Sequence, residues 1–184
     1  ENLGERSLAI SNLVRVIYLF LSIPNWGFAS SVNTLVSNFI GFGRKEEVIP
    51  IIWKTSVLCL AFTMVIGLPL LLLPNVFLSM VFSGENSQLL LEADSILKLL
   101  ILILAVYSIA AIFFNGLSGT GATMLGLGFQ LIGAIGYIGT LYFVIKVNHG
   151  SLLMAWSTEL IYWVFVLISS LWFFYRYKWR DIKL

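Results

Sequence analysis

From residue 7 to residue 177 the chain repeats one pattern, a long apolar run closed by a short polar or glycine-rich break. The breaks are the glycine-punctuated charged turn at 41–47, Pro74-Asn75 followed by the loop and cap signal at 83–87, the cluster from Asn115 to Gly121, and Asn148-His149-Gly150. They predict helices over 7–40, 48–73, 87–117, 122–147 and 151–177. At about 1.5 Å of rise per residue, each is long enough to cross a bilayer. Pro50 is tolerated near the start of the second helix, and Pro69 bends its far end. The piece at 76–82 is too short to cross and reads as an interfacial turn. The fold class is all-α, a polytopic transmembrane helix bundle.

Polar positions then separate the helices from one another. In the first, Asn12, Arg15, Ser22, Trp26, Ser30, Asn33 and Ser37 follow at steps of three, four or seven and share one stripe. Lipid satisfies neither an amide nor a guanidinium, so the stripe must face protein or water. Pro24 interrupts the run, removes a backbone donor and frees the carbonyl of Phe20. The pattern predicts a long, kinked helix lining a polar cavity; the competing reading is that Ser and Asn only join neighbouring helices. The fourth helix is glycine-rich, with Gly126 and Gly133 on a face that another backbone can approach closely. The fifth ends in mixed aromatic and cationic residues, as an interfacial anchor does.

Composition narrows the class. Of 184 residues, 59% are hydrophobic and 11% charged, with a mean hydropathy of +0.96. This is an integral membrane protein. With a net charge of +2 and no basic patch beyond the C-terminal anchor, no nucleic-acid partner is expected. Cys59 has no cysteine to pair with, and His149 is the single histidine. No metal site, Ser-His-Asp set, Cys-His set or phosphate-binding loop can be assembled, so an enzyme is not expected, nor is a cofactor. Arg44 and Lys45 in the first turn and Arg176, Lys178, Arg180 and Lys183 in the tail outnumber Arg6 and Lys146 on the other side. That bias puts the first turn and the C-terminus in the cytoplasm, in the inner membrane of the cell. An opening Glu1 in place of Met, and an odd number of spans starting outside, give the expectation of a piece of a longer protein that lacks an upstream helix.

In that orientation Arg15, Asp94, Lys98 and Glu159 enter from the outer side at comparable depth. Glu159 is the first candidate for a carboxylate that carries a proton or cation, with Tyr162 one turn below it. A fixed Arg15–Glu159 pair, or an Arg15 that snorkels to the headgroups, is the structural alternative. Asp94 is the second candidate, although its spacing to Lys98 suits a simple helical ion pair. Asn115 lies on a modestly polar stripe with Ser108 and either lines the cavity or caps the helix end.

Taken together, these motifs resemble the multidrug and toxic compound extrusion (MATE) family. The residues that carry the resemblance are the Gly41-Phe42-Gly43-Arg44 turn, the small-residue turn from Asn115 to Thr123, and the opening Glu1-Asn2-Leu3-Gly4 with Ala9-Ile10-Ser11-Asn12. It implies a twelve-helix transporter of two lobes. This chain would supply five helices, most of one six-helix MATE lobe, as a partial C-terminal lobe over 1–184. The implied activity is antiport, in which Na⁺ or H⁺ enters as an amphipathic or cationic compound leaves and the lobes rock about a central cavity. The implied partners are that small-molecule substrate, the lipid bilayer and the missing N-terminal lobe. Family carboxylates on other helices have no counterpart here, so Glu159 is read from the residues alone. Two alternatives stay open: a flippase for lipid-linked oligosaccharides from the same broad superfamily, and a membrane scaffold that transports nothing.

Overall fold

Two glycines set where the two longest helices stop. In a computed structural model that describes residues 5–73, 87–147, 150–177 and 179–181, the first helix, α1, runs Glu5–Gly41 without a break across Pro24. It ends as Arg44 N–H donates to the Phe39 carbonyl at 2.8 Å and Gly43 N–H to the Ile40 carbonyl at 3.0 Å. That pairing needs a left-handed residue between, and Gly43 supplies it with φ 75°. Gly121, with φ 85°, does the same after α3, Ser87–Gly119.

Between them, α2 spans Val48–Leu72. α4 covers Thr123–Tyr142 and passes into a π-helical turn, Phe143–Val147. α5 covers Leu152–Arg176, and its Ser151 cap accepts from Met154 N–H at 3.4 Å. Short 3₁₀ turns occupy Lys45–Glu47 and Trp179–Asp181. Among the described residues there is no strand, and five helices are long and apolar enough to span a membrane. The predicted turn at 76–82, the loop at 83–86, the opening Glu1 to Gly4 and residues 148–149 lie outside the described residues. Two boundaries differ from the expectation. α3 continues through Asn115-Gly116 to Gly119, and the fourth span changes to π geometry at Phe143 rather than staying α-helical to 147.

The centre belongs to α3, which packs against α5, α1 and α2. Its most apolar stretch is 67% buried, against 6% for α4. A helix that is apolar all round suits that place. One core gathers Ile10, Val14 and Leu21 of α1 around Leu97, Leu100, Leu104 and Tyr107 of α3. The other joins Val32, Val36, Val48 and Ile52 to Ile112, Phe113, Leu117, Phe173 and Trp179, towards the end that holds the α1–α2 turn. There Lys45 Nζ donates to the Arg180 carbonyl at 2.5 Å, so the turn and the tail meet at one end of the bundle.

Lipid tails are as apolar as leucine, so close packing rather than burial must hold these helices together. The glycines at the end of α3 serve that purpose. A Cβ on Gly116 would lie 2.7 Å from Cδ1 and 2.9 Å from Cγ1 of Ile52. Cδ1 is the far end of that side chain, whereas Cγ1 stands next to the stiff Cβ of a fully buried isoleucine, so a small shift of Ile52 must relieve the overlap. Gly116→Ala is therefore expected to lower stability by about 1 kcal/mol, at the low end for overpacking. Thermal unfolding in detergent checks this.

Candidate functional site

A carboxylate is not expected two turns into an apolar helix unless something holds it. Glu159 of α5 is held by two donors. The Tyr18 hydroxyl, from α1, donates to Oε1 at 3.2 Å, and Trp163 Nε1, one turn along α5, donates to the same oxygen at 3.0 Å. Trp163 Nε1 also stands 3.2 Å from the Tyr18 oxygen, so the three groups close a triangle between the helices.

Aromatic rings surround it. Tyr107 of α3 lies 4.5 Å from the Trp163 ring and 6.1 Å from Tyr18. Trp156 meets Tyr18 edge-on at 6.4 Å. Tyr162 sits 4.9 Å from Trp163, and Tyr137 of α4 sits 6.1 Å from Tyr162. Tyr137 also interacts with Glu159 and Thr158. Four helices thus contribute to one collar around a half-buried carboxylate. Gly133 lets α4 come this close, since a Cβ there would press on Tyr162 and Phe165 at 3.1 Å. Trp163 and Tyr18 turn their edge donors, not their ring faces, to this oxygen, so what suits the site to a cation is the carboxylate charge itself. The donors come from neutral groups, so no resident cation neutralises Glu159 among the described residues.

Arg15 is not that partner. It is exposed and makes no ion pair among the described residues. Asp94 takes the helical alternative, with Lys98 Nζ 2.7 Å from its Oδ2. Its Oδ1 is buried without a partner.

The remaining stripe residues divide along α1. Ser22 is buried and donates to the Tyr18 carbonyl at 2.6 Å. Asn12, Trp26 and Ser30 are exposed, while Asn33 and Ser37 are half-buried. Ser37 donates to the Gly119 carbonyl at 2.9 Å, joining α1 to α3. Asn115 is half-buried and donates to the Ala111 carbonyl at 2.9 Å, within its own helix. Ser31, Thr34 and Asn38 are exposed beside Ser30. The outward side of α1 therefore changes character along its length. Val16, Leu19, Phe20 and Ile23 project from the first half beside Asn12 and Arg15, and Ser30, Ser31, Thr34 and Asn38 from the second beside Leu35.

A second polar group went unread in the sequence. Asn25, fully buried, accepts at Oδ1 from Cys59 Sγ at 2.6 Å and from Thr63 Oγ1 at 3.1 Å. It ties α1 to α2 where the two apolar cores adjoin. The Cys59–Thr63 spacing was its only signal, together with an Asn placed directly after Pro24. Tyr18, Tyr107, Tyr137 and Trp163 also went unread. Trp163 had a signal, since it lies four residues after Glu159.

In comparison with known proteins, a family model described as MatE matches residues 1–142. No curated protein and no solved structure matches the chain. The matched span takes in α1 to α4 and ends before Glu159.

Proposed function

Since the chain belongs to the MatE family of membrane transporters, we propose that it forms part of a cation-coupled antiporter, in which Na⁺ or H⁺ moves in as an amphipathic or cationic compound moves out by alternating access. The observation that carries this is the second half of α1. It exposes Ser30, Ser31, Thr34 and Asn38 at membrane depth. Ser31 and Thr34 donate to the Gly27 and Ser30 carbonyls of their own helix at 2.8 Å and 3.2 Å, but lipid satisfies no exposed amide such as that of Asn38, so a run of four polar residues on this side suits water or a second lobe better than lipid. Both belong to a transporter with a central path, and neither is needed by a scaffold.

Glu159 is the coupling carboxylate in this reading. It is half-buried, held by neutral donors, and has no ion-pair partner among the described residues. Asp94 is the weaker candidate, because Lys98 already neutralises it. Trp26, Ser30, Asn33 and Ser37 border the path, with Asn115 behind them, while the exposed Asn12 and Arg15 stand on the same half of α1 as Val16, Leu19 and Phe20 and lie off it. The cationic turn and tail lie in the cytoplasm, in the inner membrane, with the C-terminus inside. The partner that completes the path is a second lobe.

The test uses the full-length protein in a bacterial cell stripped of its own pumps and loaded with a fluorescent cationic dye. Na⁺ and H⁺ gradients are imposed separately. Efflux that follows one gradient supports the antiporter and identifies the ion. The absence of efflux under both, with the protein present in the membrane, rejects it. The flippase for lipid-linked oligosaccharides then becomes the reading to test.

A further inference from the structure

One hydrogen bond crosses the outer surface of the bundle at the end that holds the α1–α2 turn. Trp53 Nε1 of α2 donates to the Tyr175 hydroxyl of α5 at 3.0 Å. The two helices flank α3, and the Trp53 ring rests edge-on against Phe113 of α3 at 5.0 Å. Both bridging residues are exposed, Trp53 by 42% and Tyr175 by 58%. Tyrosine and tryptophan at a helix end stand at headgroup level. The Tyr175 oxygen accepts this bond, so its own proton remains free to donate.

A cation follows each bridging residue. Lys54 and Arg176 are both exposed, and neither has an ion pair or hydrogen bond among the described residues. The carboxylate of Glu47 is already paired with Arg44. Among residues with described side chains, this end carries Arg44, Lys45, Lys54, Arg176 and Arg180 against Glu46 and Glu47. Deeper on the same helix faces the surface turns apolar, with Val57 exposed by 61% one turn below Trp53 and Ile168 exposed by 60% two turns below Tyr175.

We propose that this bridge is a binding site for one anionic phospholipid. The phosphate accepts from the Tyr175 hydroxyl and lies between the charges of Lys54 and Arg176. The acyl chains run along Val57 and Ile168. The apolar continuation selects a lipid over a free phosphate, and the pair of unpartnered cations selects an anionic headgroup over a zwitterionic one. The site is separate from the Glu159 collar and does not depend on transport.

Native mass spectrometry of the full-length protein tests it, with phosphatidylglycerol, phosphatidylcholine and glycerol 1-phosphate as probes. Wild-type protein should retain one phosphatidylglycerol with at least about tenfold preference over phosphatidylcholine. The Lys54→Gln/Arg176→Gln double variant should lose that preference, and Lys54→Arg/Arg176→Lys should keep it. Thermal unfolding in lipid-free detergent confirms that each variant is folded. Tyr175→Phe should weaken retention of both lipids, since both carry the phosphate, and leave the preference for phosphatidylglycerol in place. Equal retention of the two lipids overturns the proposal, as does a preference that survives in the folded double variant. Glycerol 1-phosphate binding as tightly as the lipid overturns it too, because the site would then read phosphate alone.

Discussion

Glu159→Gln is expected to abolish ion-driven efflux while the protein still inserts at its normal level. Glutamine has nearly the same shape as glutamate, and its carbonyl oxygen can still accept from Tyr18 and Trp163. The triangle that ties α5 to α1 therefore survives, and so does the fold. The charge is lost, and with it the ability to exchange a proton or a metal cation. Dye efflux in the presence of the gradient should fall to the rate seen without it. Dye binding, read as a fluorescence shift in the absence of a gradient, should remain detectable. Unchanged gradient-driven efflux would remove Glu159 from the coupling step and leave the aromatic collar as packing alone. Asp94→Asn is the matched comparison. It breaks a helical ion pair whose lysine is exposed, and it should leave efflux close to wild type.

The largest effect on the fold is expected at Gly119. A Cβ there would lie 2.6 Å from the Asn33 carbonyl oxygen and 3.0 Å from Cβ of Val36. Unlike Ile52 beside Gly116, a backbone carbonyl cannot rotate away without moving its helix. The same contact carries the bond from Ser37 to the Gly119 carbonyl, so α1 and α3 would separate where they are joined. Gly119→Ala should destabilise the protein by about 1–3 kcal/mol, more than Gly116→Ala. Thermal unfolding of the two variants side by side checks both the size and the order. A Gly119→Ala variant as stable as wild type would mean that the two helices do not approach this closely.

These two residues also show how far the sequence could be read. Glycine near the end of an apolar run predicts a stop, and in soluble proteins it often is one. Here Gly116 and Gly119 stay helical because neighbouring helices fill the space where a side chain would stand, and the helix turns only at Gly121. The five spans were legible because a bilayer demands long apolar runs whatever their neighbours. Glu159 was legible because a carboxylate in such a run stands out. Its partner on α1 was not. Arg15 and Tyr18 are three residues apart, about 60° around the helix, and nothing in one sequence fixes how far α1 is rotated about its axis. That rotation directs Tyr18 towards α5 and Arg15 outwards. It also buries Asn25 and Ser22 while leaving Ser30 and Thr34 exposed, a division that the polar stripe alone did not contain.

The exposed polar half of α1 carries the transport reading, and water access tests it most directly. Cys59 is buried and can be replaced by serine, which keeps a donor for Asn25. In that background single cysteines are placed at Ser30 and Thr34, with Leu19 and Phe20 as controls on the apolar half. Intact cells are treated with a small water-soluble maleimide, with and without the transported dye. Ser30→Cys and Thr34→Cys should label, and the dye should slow them, while Leu19→Cys and Phe20→Cys stay unlabelled. Labelling at Ser30 and Thr34 no faster than at Leu19 would contradict an aqueous path along α1 and return those hydroxyls to helix packing.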